Sequence, residues 1–550
     1  MTSTAETTLM IFRLGCCATL LALLGACVPL KEQARAGSAG RTPTLVVFIT
    51  VDALRPDYFQ RFERQLTGGL GRLYRGGAYF SNGYQDHAAT ETAPGHSATM
   101  SGRYPVNNGI TSNIHGVGDT AARLIEAEGL AASPFRFIGT TLTDWLIAKD
   151  SRTRALSVSR KDRGAILPIG KSKQAVFWYS SNGTFTTSDY YGAALPSWVR
   201  AFNARRIPQS HAGRAWTTLL PASAYAEPDS VPIESEGRSY TFPHYMPQTA
   251  DLAARALPGF PWMDEATLQL ALAGVRAMRL GAGPHTDVLA ISLSATDAIG
   301  HQYGPDSREV HDQVLRLDRF IGVFMDSLFR MRRERDVVFA LTADHGLTPF
   351  PEVRGYDANT GATRVDVRPA FEQLSASLSA AGVPGHPFRI ASGVMRGAGF
   401  SFEPGVLSLD RSAVTAAGLK PDSVIEALRT SLMRIPGVAR ADRISELAAR
   451  DTVNDAVARR WLHVFADETV ASLVVSLAPF NMWGPGSYAQ HGSPNDHDAR
   501  VPILFYGRPF RAGRNTEFAA VVDMAPTLAA VLRVTPSERL DGRVLRNAIR

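Results

Sequence analysis

Three stretches of this chain share one plan: a continuous apolar, β-branched run that ends on aspartate. Thr44 to Val51 ends on Asp52, Asp287 to His301 holds an apolar strand and then Asp297, and Arg335 to Gly346 does so again with Asp344. A strand that is apolar at every position, with no alternation, has to be covered on both faces, as in a parallel sheet flanked by helices. Amphipathic stretches lie between these runs, and the pattern predicts helices over Asp57–Tyr74, Asp264–Arg279 and Ser307–Arg333. "ASLVVSLAP" and "VPILFYG" read as two more buried strands. Strand–helix alternation of this kind predicts an α/β fold, a doubly wound and mostly parallel sheet flanked by helices, with a cap insertion. The 45% hydrophobic and 20% charged residues fit a globular chain, so disordered and fibrous classes are set aside.

The expected layout has three parts, the last with two regions inside it. In "FRLGCCATLLALLGACVPLK", Arg13 precedes an apolar run too short to span a bilayer, and Leu24-Gly25-Ala26-Cys27 follows. That is the pattern of a lipoprotein-type signal peptide over residues 1–26, with Cys27 as the lipidated first mature residue. Residues 27–43 read as a tether, and residues 44–550 as the catalytic domain. Within that domain the rhythm breaks over about 115–259, read as the cap insertion, and over about 348–462, read as a smaller irregular region. A net charge of +7 is mild, and no Lys/Arg block is interleaved with aromatics, so a nucleic acid duplex is not an expected partner.

Ligands of open α/β sheets gather beyond the carboxyl ends of the strands. Asp52, Asp297 and Asp344 are all placed at that edge, with His301 four residues after Asp297, His345 next to Asp344, and His491 in a loop before a late strand. Carboxylate and imidazole without thiolate suit zinc and related divalent ions. The candidates divide into Asp297, His301 and His491 around one ion, and Asp52, Asp344 and His345 around another. The second set leaves a position for Thr92. In "ATETAPGHSATMSG", Thr92 opens a predicted helix, where Pro94 suits the first turn and Gly95 permits close backbone approach. Metal and helix terminus would both favour an alkoxide at Thr92, although threonine is also an ordinary cap.

Asn113 follows about twenty residues later, and "SRKDRG" carries Lys161 and Arg163 two apart. In an extended segment both cations would point to one side and could grip phosphate oxygens. The aromatics Phe177 to Tyr179 and Tyr190 to Tyr191 read as cap packing.

Asp52, Thr92-Ala-Pro-Gly-His96, Asp297-x-x-x-His301, Asp344-His345-Gly346 and His491-Gly492-Ser493 resemble, in order, the alkaline phosphatase superfamily. "KDRGAILPIG" with the segment after it resembles the phosphate-irrepressible, threonine-dependent alkaline phosphatases, which stand close to the nucleotide pyrophosphatase/phosphodiesterases. The resemblance implies two Zn²⁺ ions, a covalent phosphothreonine intermediate, and Asn113, Lys161 and Arg163 holding the phosphate. His96 is implied to be structural. It further implies a periplasmic or cell-surface monomer acting on small phosphorylated substrates, with a membrane contact only through a lipid at Cys27. A phosphodiesterase of the same superfamily and a non-catalytic, lipid-anchored phosphate- or metal-binding protein are the alternatives.

Overall fold

The computed structural model describes residues 42–353, 361–391, 393–468, 470–486 and 488–550. The expected signal peptide, Cys27 and nearly all of the tether lie outside these residues. The described chain from Thr42 onward is one compact unit.

Its centre is a nine-stranded sheet. Five strands in its middle are mutually parallel, in the order Val337–Thr342, Leu45–Val51, Asp287–Leu293, Ala155–Ser159, Ala175–Tyr179. Every residue of Leu45–Val51 and of Asp287–Leu293 is buried, as their uninterrupted apolar runs require. Register keeps the carboxyl ends level, with Val51 opposite Leu293, and Thr50 opposite Thr342 on one side and Ser292 on the other. Ile503–Tyr506 adds next to Val337–Thr342 in the antiparallel sense, followed by Ala78–Tyr84 and Gly513–Ala520. The long helix Arg308–Met331 is capped by Ser307 Oγ, which accepts from Val310 N, and it packs on the helices Gly69–Gly76 and Trp262–Ala277.

One expectation is corrected here. Asp57–Tyr74 is not one helix but two, Tyr58–Arg61 and Gly69–Gly76, because the turn from Phe62 to Gly68 interrupts it. Gly68 is held there by contact: an added Cβ would lie 2.3 Å from the Asp318 carbonyl. Within residues 115–259, expected as the cap insertion, Ala155–Ser159, Ala175–Tyr179 and Phe185–Thr186 are strands of the main sheet. Those strands are short, which hides their period among the turns around them.

The region expected as irregular over 348–462 builds a second, six-stranded sheet that is antiparallel throughout and draws one strand from beyond it, Leu473–Leu477. The helices Arg368–Ala380 and Pro421–Leu432 cover one face of it, enclosing Phe371, Phe402, Leu407, Leu428 and Leu473.

Candidate active site and metal-ligand cluster

Asp52 directly follows Leu45–Val51, Asp344 stands two residues beyond Val337–Thr342, and Lys161 two beyond Ala155–Ser159. These strands are near neighbours in the sheet, so their tips bring the three side chains together. Asp297 and His301 sit on the helix Ala295–Tyr303 rather than on a loop, and the i,i+4 spacing aligns them on one face. His301 Nε2 is 3.2 Å and His491 Nε2 3.7 Å from Asp297 Oδ1. His345 Nε2 is 3.3 Å from Asp52 Oδ1 and 3.6 Å from Asp344 Oδ2.

Ligand atoms of Asp52, Asp344 and His345 all lie within 4.8 Å of one another, and so do those of Asp297, His345 and His491. The two groups therefore share His345, whose ring stacks on His491 at 3.6 Å between centroids. Asp52 Oδ1 and Oδ2, Asp297 Oδ1, Asp344 Oδ2 and His345 Nε2 are buried and make no aligned hydrogen bond. Lys161 offsets part of this charge, but buried acceptors of this density are costly in a dry interior unless further cations gather them. The donor set thus fits divalent metal.

The three histidines are oriented alike. Nδ1 of His301 donates to Ala489 O at 2.5 Å, that of His345 to Gly346 O at 2.8 Å and that of His491 to Thr90 O at 2.8 Å. A carbonyl only accepts, so each Nδ1 carries the hydrogen and each Nε2 faces the carboxylates, the arrangement that prepares imidazole for a metal. Burial alone would lower the His345 pKa, but Asp344, Asp52 and Asp297 lift it to about 9. Burial, with His345 and His301 close by, holds His491 well below its ordinary value. Burial opposes ionisation of Asp297, yet Lys161, His301 and His491 keep it well below the usual carboxylate range.

Thr92 is the first residue of the helix Thr92–Ser101, with Glu91 preceding it in extended conformation. Lys161 Nζ donates to Thr92 Oγ1 at 3.0 Å and to Asp297 Oδ2 at 2.7 Å, and lies 2.5 Å from Asp52 Oδ2 as an ion pair. Gly95 is required where it stands: a Cβ would come 2.2 Å from the Asp344 carbonyl. Asn113 Oδ1 accepts from Ala93 N at 2.9 Å, so the amide is tied to the same helix start. His96 is buried with both ring nitrogens engaged, by Thr92 O and Ser292 Oγ.

Lys161 and Arg163 are not on an extended segment. Lys161 caps a short helix, Asp162–Ile166, and Arg163 lies inside it, so the two point differently. Lys161 enters the carboxylates, while Arg163 makes a 3.5 Å ion pair with Asp162 and its Nε is unpartnered. The aspartate next to each cation favours the turn over the strand by starting the helix.

Several contributors carry no sequence signal. Glu91 Oε2 accepts from Asn113 N at 2.6 Å, and burial raises its pKa. Asp86, in the approach to Thr92, pairs with Arg459 at 2.9 Å and Arg460 at 3.4 Å, both more than 370 positions away. Asp264 Oδ1 accepts from Ala295 N at 3.0 Å and so fixes the start of the helix bearing Asp297. The partly buried Arg160, to which the sequence assigns no role, feels the field of Asp297 and Asp52, and burial lowers its pKa.

The family described as type I phosphodiesterase / nucleotide pyrophosphatase matches residues 46–366. The alkaline phosphatase PhoV of Synechococcus elongatus is 30% identical over 92% of this chain and 93% of its own length. The alkaline phosphatase PhoK of a Sphingomonas species is 31% identical over 92% and 91%. The crystal structure of wild-type alkaline phosphatase PafA superposes with a TM-score of 0.82 at 26% identity, covering 93% of this chain and all of that one. The chain belongs to the type I phosphodiesterase / nucleotide pyrophosphatase family, within the alkaline phosphatase superfamily.

Proposed function

We propose that this protein is a metal-dependent phosphate monoester hydrolase, an alkaline phosphatase, that works through a phosphothreonine at Thr92. The observation that carries the reading is that the Lys161 ammonium joins Thr92 Oγ1 to Asp297 and Asp52, one carboxylate from each of two carboxylate–imidazole groups whose ligand atoms lie within 4.8 Å of one another. Alkaline phosphatase relatives matched over nine-tenths of the chain support it.

Asp52, Asp344 and His345 would hold one Zn²⁺, and Asp297, His301 and His491 the other, with His345 near both. When bound, such ions polarise phosphate oxygens and lower the pKa of a coordinated hydroxyl. Thr92 Oγ1 gives up its proton to solvent and attacks phosphorus, forming the new P–O bond as the ester P–O bond breaks, and the electron pair leaves on the alcohol oxygen, which takes a proton from solvent. Water then loses a proton to solvent and attacks the phosphothreonine, the P–Oγ1 bond breaks, Thr92 Oγ1 regains a proton, and inorganic phosphate departs. Lys161 and Arg163 oppose the two charges of a monoester, and the Asn113 amide donates to a third oxygen. We further place the protein at the periplasmic face or cell surface as a monomer, held by a lipid on Cys27, with small phosphorylated molecules as partners. No helix among the described residues is long and apolar enough to cross a membrane.

Release of phosphate from an aryl phosphate should require divalent metal and stop on chelation. In Lys161→Ala and Arg163→Ala, kcat/KM for the monoester should fall about 10²–10³-fold each, and that for a diester much less. A phosphodiesterase is the second reading, favoured by the family match over residues 46–366. It prevails if monoester turnover barely responds to those variants while diester turnover stays high.

A further inference from the structure

A cavity of about 450 Å³ opens beside His301 and His491, against residues of the antiparallel sheet. Its walls include Val367, Ile390, Met395, Phe402 and Trp483. The two histidines form part of its lining, whereas Asp52, Thr92 and Asp344 do not. Trp483 and Phe402 meet edge to face, with centroids 5.6 Å apart at 77°, and make an aromatic corner.

Several polar groups on this wall already have partners. Arg368 makes two bonds to Asp366, at 2.8 and 2.6 Å. Gln490 Nε2 donates to Trp483 O at 2.9 Å, and Glu91 Oε2 accepts from Asn113 N. The cavity thus offers apolar surface and aromatic edges, while its lining guanidinium is already neutralised by a carboxylate.

We infer that this cavity receives the alcohol half of the substrate, and that it selects phosphate esters whose alcohol carries a flat aromatic ring. The inference rests on the phosphatase reading above. In an in-line displacement the leaving oxygen stands opposite the entering one. Thr92 belongs with Lys161, Asp52 and Asp344, so the departing group is directed toward His301 and His491, where the cavity begins. A ring there meets Trp483 and Phe402, whereas a second phosphate on the alcohol would enter an apolar volume with its nearest arginine already engaged.

The test compares kcat/KM for 2-naphthyl phosphate and glycerol phosphate in the full, metal-loaded chain. Wild type should prefer the naphthyl ester. Trp483→Ala should lower its kcat/KM about tenfold or more and leave glycerol phosphate within about twofold. Ile390→Ala, at a side chain 48% exposed and so harmless to folding, should produce a smaller loss on the naphthyl ester alone. Equilibrium dialysis should show 2-naphthol binding to wild type and weaker binding to Trp483→Ala. Equal losses on both esters, or no change on either with unaltered 2-naphthol binding, would overturn the cavity assignment while the phosphatase reading stands. Failure of wild type to hydrolyse either ester would sink the phosphatase reading, and undiminished 2-naphthol binding in Trp483→Ala would sink the cavity separately.

Discussion

Along Leu45–Val51 every residue is buried, whereas along Phe400–Glu403 and Val406–Leu409 burial alternates residue by residue. The first strand is covered on both faces, and the other two have the helices Arg368–Ala380 and Pro421–Leu432 on one. The two sheets bury their surface under different rules, and this separates their tasks. In the parallel sheet, interior positions are fully spent on packing, so chemistry is left to the strand tips, where Asp52, Asp344 and Lys161 emerge side by side. In the antiparallel sheet burial takes one face, and Met395 and Phe402 on that packed face also line a cavity. Substitutions in the first region should therefore strike the reaction, and those in the second should strike stability or choice of substrate.

The largest effect is expected from Thr92→Ala, which removes the proposed nucleophile. Monoester turnover should fall about 10⁴-fold or more, and no phosphoenzyme should form with radiolabelled substrate; persistent labelling at another residue would break the comparison. Asp344→Ala should come next. Its carboxylate has one oxygen accepting from Ala53 N and His345 N and the other facing the imidazoles of His96 and His345, so metal bound per chain should drop by about one ion, as read by elemental analysis after desalting.

Leu428→Ala tests the other region. Leu428 is buried between the second sheet and its helices, and its truncation should cost about 2–5 kcal/mol in denaturant unfolding with metal content unchanged. Loss of metal in this variant would show that the two regions are not energetically separable. The smallest effect sharpens the picture at the rear of the site. Burial, with Asp52 nearby, pushes the Asp264 carboxyl up from 3.8 to about 7. Between about pH 4 and 7 the folded chain then holds a proton that the unfolded chain has lost, so this group's contribution to stability declines as pH rises and levels off above 7. Asp264→Asn should remove that decline, and the difference between variant and wild-type unfolding midpoints across pH should show it.

Much of the first region was legible in the sequence because its physics is local and repetitive. An unbroken β-branched run followed by aspartate predicts both a buried parallel strand and a polar residue at its tip. The order Thr92, Pro94, Gly95 marked a helix start, and the helix Thr92–Ser101 begins there. The short strands Ala155–Ser159 and Ala175–Tyr179 escaped because five residues are too few to display a period among surrounding turns. Lys161 and Arg163 were legible as a pair of cations but not in their directions, since the choice between strand and helical turn depended on a cap. The antiparallel sheet was read as irregular because its pairing joins strands as far apart as Val406 and Val474.

By itself, then, the sequence determined the parallel architecture, the residue types at the strand tips and their order along the chain, since hydrophobic run length and side-chain chemistry are written residue by residue. Only the tertiary structure decided that His345 stands between both ligand groups, that backbone carbonyls of Thr90, Gly346 and Ala489 turn the three imidazoles, and that Asp86 is clamped by arginines from the far end of the chain. Carbonyls carry no identity in a sequence. Contacts across hundreds of residues form only once burial has brought their elements together and removed the competing water.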